Sequence, residues 1–156
     1  MKILDWIKVN RVGHIFEYED RFEIEHQSGE YSILFKNIAA DVFLMELPEC
    51  LTDIYTNFDG ADLFSSTFKI AALNSPKNIE GINLVDSLSE FKVWCEQLNP
   101  RFPEATIPFM YQAGIGIYAV GKESGKIYEW DEELEAISDE FDSLEQIFTE
   151  WLEAIE

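Results

Sequence analysis

Apolar residues change their spacing several times along this chain, and each change marks an element. In RFEIEH (21–26) Phe22 and Ile24 alternate with Glu23 and Glu25, the period of a strand with one buried face. QSGE then supplies a turn and YSILFK a second run of strand formers, so a hairpin is predicted. Residues 1–36 as a whole read as β-rich, and 37–46 fit either a short helix or a strand. From Leu47 the period lengthens. Leu51, Ile54, Tyr55 and Phe58 fall at i, i+3, i+4 and i+7, one face of a helix. Pro48 suits its first turn, and Asp59-Gly60 its end, because glycine takes the left-handed C-terminal conformation without strain.

TFKIAAL carries strand signal, and NSPKNIEGIN reads as a polar loop. A second helix is predicted over 87–98, with Leu88, Phe91, Cys95 and Leu98 along one side. Asp86 or Ser87 can cap it, and Asn99-Pro100 stops it. Three strand-like runs follow, IPFMYQ (107–112), GIYAVG (116–121) and KIYEWD (126–131). The closing helix, SLEQIFTEWLEAI, aligns Leu144, Ile147, Phe148, Trp151, Leu152 and Ile155, and Ser143 and Gln146 have capping-box spacing. This order is α+β, since strands and helices do not alternate as in a parallel βαβ sheet.

Composition narrows the picture. A chain of 156 residues, 47% apolar and 14% aromatic, has the material for one folded domain. No apolar run reaches the length of a membrane span, and MKILDWIKVNR does not have the form of a signal peptide. Cys50 and Cys95 fall on the apolar stripes of the predicted helices, where thiols act as small hydrophobes. They make no disulfide framework, and a reducing cytoplasm is the expected compartment. The formal net charge is −20. Such a surface repels nucleic acid and anionic membrane, and it accelerates association with a basic protein. The last 35 residues hold 13 acidic residues against two lysines.

Candidate chemistry is sparse. GIYAVGKES places Gly116, Gly121 and Lys122 in register with a phosphate loop, but Glu123 stands where the Mg²⁺-binding hydroxyl belongs. Ile117, Tyr118, Ala119 and Val120 have strand composition, and a turn and another strand follow instead of a helix, so a hairpin turned at 122–125 is predicted. WDEELEAISDEFD (130–142) fails as an EF-hand loop, with Ala136 at the turn glycine and Asp142 at the closing glutamate. It reads as a solvated charged face or a surface for a basic partner. His14 and His26 lack a metal partner at i+4 and any nucleophile motif, and neither cysteine carries a Cys/His signature. No catalytic residue, cofactor or metal is therefore expected. Tyr128 and Trp130 share one strand face, while Ile127 and Glu129 share the other. Their rings either cover the terminal helix or serve as anchors beside an acidic rim.

The order of elements resembles a known family. LPECLTDIYTNFDG, the meander IPFMYQAGIGIYAVGKESGKIYEWDEE and the closing SLEQIFTEWLEAI are similar in order and spacing to the SUKH superfamily, which includes the fungal cell-wall regulators of the Smi/Knr type and many small bacterial proteins. The likeness covers 44–155, leaving 1–43 as a divergent β-rich part of a single domain. Two departures stand out. Ile117 follows Gly116 where the family often has Asp, and the family's usual first element is a helix. The resemblance implies an α+β fold with a mixed, mostly antiparallel sheet flanked by helices, and no catalytic activity. It also implies a bacterial immunity protein that neutralises a cognate toxin, or a regulatory adaptor of the same fold. The expected partner is that toxin or another basic protein, with no nucleic acid and no membrane. The expected contact residues are Glu129, Asp131, Glu132, Glu133 and Glu135, with Tyr128 or Trp130 as anchors.

Overall fold

The first element departs from the expectation of a β-rich start. Ile3, Trp6 and Ile7, at i, i+3 and i+4, bury one face of a helix, α1 (Ile3–Asn10). Three residues on a two-turn stripe, among β-favouring Ile and Val, make a weak periodic signal. What holds the helix is its contact with the core. In the computed structural model, which describes residues 3–37, 47–73 and 75–156, the ambiguous stretch 37–46 lies almost wholly outside the described residues.

After α1 come β1 (Gly13–Glu17), β2 (Arg21–His26) and β3 (Tyr31–Lys36), antiparallel neighbours that realise the predicted hairpin and add a strand before it. The next helix, α2 (Glu49–Asn57), buries Leu51, Ile54 and Tyr55, with Pro48 at its N-cap. It does not end on Asp59-Gly60. Phe58 is already extended, at φ −140° and ψ 160°, and the chain runs directly into β4 (Phe58–Leu63). Gly60, with φ +93°, sits inside that strand. A Cβ there would lie 3.1–3.3 Å from Val85 and Ala72. The glycine serves a close approach, not a helix end.

β5 (Phe68–Ile70) follows, and the expected polar loop contains a small separate hairpin, β6 (Lys77–Ile79) and β7 (Ile82–Val85). Glu80 and Gly81 both have positive φ, the requirement of a two-residue primed turn. Strands this short have no legible period. Helix α3 (Leu88–Leu98) starts at a full capping box, with the Ser87 hydroxyl accepting from the Glu90 amide and the Glu90 carboxylate accepting from the Ser87 amide. It stops at Asn99 in the left-handed conformation.

The meander β8 (Thr106–Gln112), β9 (Gly116–Gly121) and β10 (Ile127–Asp131) matches the three predicted runs, and β11 (Ala136–Phe141) extends it through the acidic tract. Helix α4 (Leu144–Ile155) closes the described chain. Its predicted capping box is half formed. Ser143 accepts from the Gln146 amide, but the Gln146 side chain reaches one residue further, to the Asp142 amide. Among the described residues no helix is long and apolar enough to cross a membrane.

One nine-stranded sheet runs in the order β1-β2-β3-β4-β5-β8-β9-β10-β11, and each of its neighbouring pairs is antiparallel. The parallel component of the expected mixed sheet is a lone bridge, Ala72 to Ser87. On one face Ile24, Leu34, Phe68, Met110, Tyr118, Ile127 and Phe141 pack with α1, α2 and α4. On the other, α3 places Phe91 and Cys95 against Ala71, Ile117 and Trp130, while Phe35, Ala72 and Val85 form a third cluster near β7. Fully burying each such side chain stabilises by about 1.5–3 kcal/mol.

The β4–β5 turn is strained. Phe64, Ser65 and Ser66 have φ of 54°, 54° and 65°, consecutive left-handed residues without a glycine. The Phe64 ring is fully buried and stacks on Trp151 at 4.6 Å, which anchors the turn to α4. Ser65 is exposed and accepts from the Tyr31 amide. Ser65→Gly and Ser65→Ala both lose that hydroxyl and differ in the Cβ, so the glycine variant is expected to be more stable by about 1 kcal/mol. Urea unfolding of the pair checks this. Equal midpoints would mean that the turn does not hold its left-handed conformation.

Candidate partner-binding face

The residues expected to meet a partner lie on β10 and in the turn to β11, and the pleat divides them. Tyr128 and Trp130 do share a face, but they point away from α4, which corrects the expectation that they cover the terminal helix. Trp130, 3% exposed, packs with Ile117, Phe91 and Cys95 under α3. Tyr128 is buried too. Its ring lies 6.2 Å from Phe102 and its hydroxyl donates to Glu104 Oε2 at 2.7 Å. Neither ring is available as a surface anchor. Their neighbour Ile117 is also fully buried, so a hydrophobe fits the position where the resembling family often carries Asp.

Glu129 faces the opposite side, toward the main core. It accepts from the Tyr118 hydroxyl and, at 2.6 Å, from the Ser138 hydroxyl. Burial, and then this carboxylate, holds the Tyr118 phenol far above its usual range. Asp131 Oδ1 accepts from the amides of Glu133 and Leu134 at 2.9 and 3.0 Å, an Asx turn that shapes the hairpin tip. Glu132 is half-buried beside Tyr111. Burial first, then the hydrogen-bonded Glu132 carboxylate, pushes the Tyr111 phenol up to about 12. Glu133 and Glu135 project into solvent, with Leu134 between them 69% exposed. The contiguous acidic patch expected from sequence is therefore two free carboxylates at a tip, supported by three engaged ones.

The loop that resembles a phosphate cradle folds as the predicted hairpin, and its amides already hold an anion. Glu104 Oε1 accepts from the backbone N–H groups of Glu123 and Ser124 at 2.9 and 3.0 Å. The Ser124 hydroxyl, the Ser124 amide and the Tyr128 hydroxyl hold this carboxyl down to about 2. Both loop glycines have structural causes. A Cβ on Gly121 would lie 2.4 Å from the Glu104 carboxyl carbon, and one on Gly116 would lie 2.0 Å from the Trp130 carbonyl oxygen.

Five of the eleven cations are held in close ion pairs. Arg11 pairs with Glu30, Arg21 with Asp20 and Glu23, Lys36 with Glu17, Lys77 with Asp59 and Lys126 with Glu140. Burial pushes the thiols of Cys50 and Cys95 up to about 12, which keeps them protonated and unreactive. His26 is buried and hydrogen-bonded on both ring nitrogens, a structural residue. Among the described residues, no three His, Cys, Asp or Glu side chains are grouped as metal ligands.

Sequence reasoning missed a groove of about 280 Å³ on the α3 side of the sheet. Lys69 and Tyr111 form its floor, β7 and Asp86 one wall, and Phe91 and Trp94 of α3 the other. Trp94, 38% exposed, stacks on Phe91 (5.8 Å, 19°) and meets Tyr111 at right angles (5.4 Å, 90°). Lys69 Nζ lies 3.9 Å from the carboxylate of Asp62, a buried group whose pKa is raised by desolvation. The legible signal was Trp94 itself, a large aromatic standing off the buried stripe of α3.

A family model described as SMI1 / KNR4 family (SUKH-1) matches residues 37–153, most of the chain. Neither a curated protein nor a solved structure matches it.

Proposed function

The chain belongs to the SMI1 / KNR4 family (SUKH-1), and from that premise we propose that it is a non-catalytic protein-binding module that neutralises a cognate bacterial toxin. Its partner is basic. The observation that carries this reading is the uncompensated charge: a net −20, with five of the eleven cations already held in internal ion pairs and Glu133 and Glu135 free at the hairpin tip. An acidic body of this kind suits occlusion of the basic substrate groove of a nuclease, because the field steers encounter and the docked surface excludes nucleic acid.

Charge reversal tests it where the fold does not depend on the side chain. Asp131 shapes the turn and Glu132 contacts Tyr111, so the informative variant is Glu133→Lys with Glu135→Lys. The association rate with the product of the neighbouring toxin gene is expected to fall about tenfold at low salt, and the difference to shrink near 0.5 M salt, where screening is nearly complete. Unchanged association and unchanged protection would remove the hairpin tip from the interface. A neighbouring gene product that does not bind at all would favour an adaptor role for the same fold.

A further inference from the structure

We infer that the groove between α3 and β7 is the anchor point of the interface, and that its occupant is an arginine side chain presented by the basic partner. This rests on the reading above that the partner is a basic protein.

The fold itself shows how it holds a guanidinium. Arg21 lies 4.4 Å over the Tyr18 ring while Asp20 and Glu23 accept from its nitrogens. Arg11 lies 5.5 Å over Trp151 while Glu30 takes both of its forks at 2.8 Å. Each site combines an aromatic face with carboxylates at the rim. The groove assembles the same parts from residues distant in sequence. Trp94 stacks on Phe91 and still keeps 38% of its surface exposed, with Tyr111 set edge-on beside it. Asp86 lies in the wall, and Glu132 sits behind Tyr111. The lining carries one cation, Lys69, which faces Asp62. The groove and its immediate neighbours thus set three carboxylates, Asp62, Asp86 and Glu132, against that one ammonium.

Charge complementarity selects a cation, and ring geometry selects which. A planar guanidinium stacks on an indole and directs its N–H forks to carboxylates, whereas an ammonium is a compact, strongly hydrated point charge. Anchors of this kind tend to be central in an interface and surrounded by contacts that exclude water.

The test uses the full chain, ¹⁵N-labelled, titrated with tetra-arginine amide and separately with tetra-lysine amide. Of the four tryptophans, Trp6 and Trp130 are buried and Trp151 stacks on Phe64, so the Trp94 indole N–H is a specific reporter. We expect a saturable shift of that signal, with tetra-arginine binding about fivefold tighter than tetra-lysine. Trp94→Ala and, separately, Glu132→Gln with Asp86→Asn are each expected to remove about that preference. The second variant leaves every ring in place, so it answers for the groove even if Trp94→Ala perturbs α3. Equal binding of the two peptides, or a preference retained in both variants, overturns the inference. The two readings fail separately. If Glu133→Lys with Glu135→Lys slows partner capture while Trp94→Ala leaves partner affinity unchanged, the groove falls and the acidic surface stands. If Trp94→Ala abolishes arginine preference while the tip reversal leaves capture unchanged, the groove stands and the tip does not.

Discussion

Replacing Phe64 by alanine is expected to lower the unfolding free energy by about 3–5 kcal/mol, a large share of what holds a domain of this size together. The ring is fully buried where α1, α4 and the sheet meet. It lies 6.2 Å from Trp6, 5.3 Å from His26, 6.4 Å from Phe68, 6.0 Å from Phe148 and 4.6 Å from Trp151. Truncation loses the transfer free energy of the ring and leaves a cavity between elements that cannot all close on it. It recovers nothing from the backbone, because alanine keeps the Cβ that makes φ of 54° unfavourable. Urea unfolding checks the prediction, with a lower midpoint at constant slope. A loss below about 1 kcal/mol would be too small for a buried aromatic and would take Phe64 out of the core.

The second large effect is expected at Ser32, which is fully buried and makes no apolar contribution of note. Its hydroxyl oxygen accepts from the Phe64 amide at 2.8 Å and lies 2.7 Å from His26 Nε2. His26 Nδ1 is 2.6 Å from the Arg11 carbonyl, which can only accept, so Nδ1 carries the proton and Nε2 accepts from Ser32. Ser32→Ala orphans two buried groups at once, the Phe64 amide and His26 Nε2. At about 1–3 kcal/mol for each, a loss of about 2–6 kcal/mol is expected.

The same relay gives a pH dependence. Burial is the main cause that holds His26 below its ordinary 6.5, so the folded state favours the neutral ring. The unfolded chain takes up the proton first. This contribution to stability is complete above pH 6.5 and is lost as the pH falls below it toward the folded value. A charged ring would present two N–H donors, and the Ser32 hydroxyl could no longer give its proton to Nε2. An NMR titration of the His26 ring should show a midpoint below 6.5, and a midpoint above it would contradict the neutral relay.

Most long elements were legible because their residues carry a period over enough positions to be unambiguous. The stripes Leu51, Ile54, Tyr55 and Leu144, Ile147, Phe148 are buried as their spacing requires, and GIYAVG is a strand despite its likeness to a phosphate loop. What escaped was short or doubly determined. Helix α1 depends on the core it caps, and β6 and β7 span three and four residues. β11 is an edge strand whose Asp139 and Glu140 face solvent, so it reads as a charge run although it pairs with β10.

The candidate interface divides the same way. The sequence by itself determined the chain's acidity, its α+β order and the alternation that puts Tyr128 and Trp130 on one face, since charge and strand period are local properties. Only the tertiary structure decided which face that was, because α3 returns across the sheet over Trp130, and Phe102 and Glu104 beyond it meet Tyr128. It also decided which carboxylates are free, since Glu104 closes the 122–125 turn, Glu129 meets Tyr118 and Asp131 binds its own hairpin, leaving Glu133 and Glu135. The groove between Trp94, Tyr111 and Asp86 exists only once α3, β7 and β8 are packed together. Side-chain chemistry is written residue by residue, but exposure and pairing depend on contacts between residues far apart in the chain.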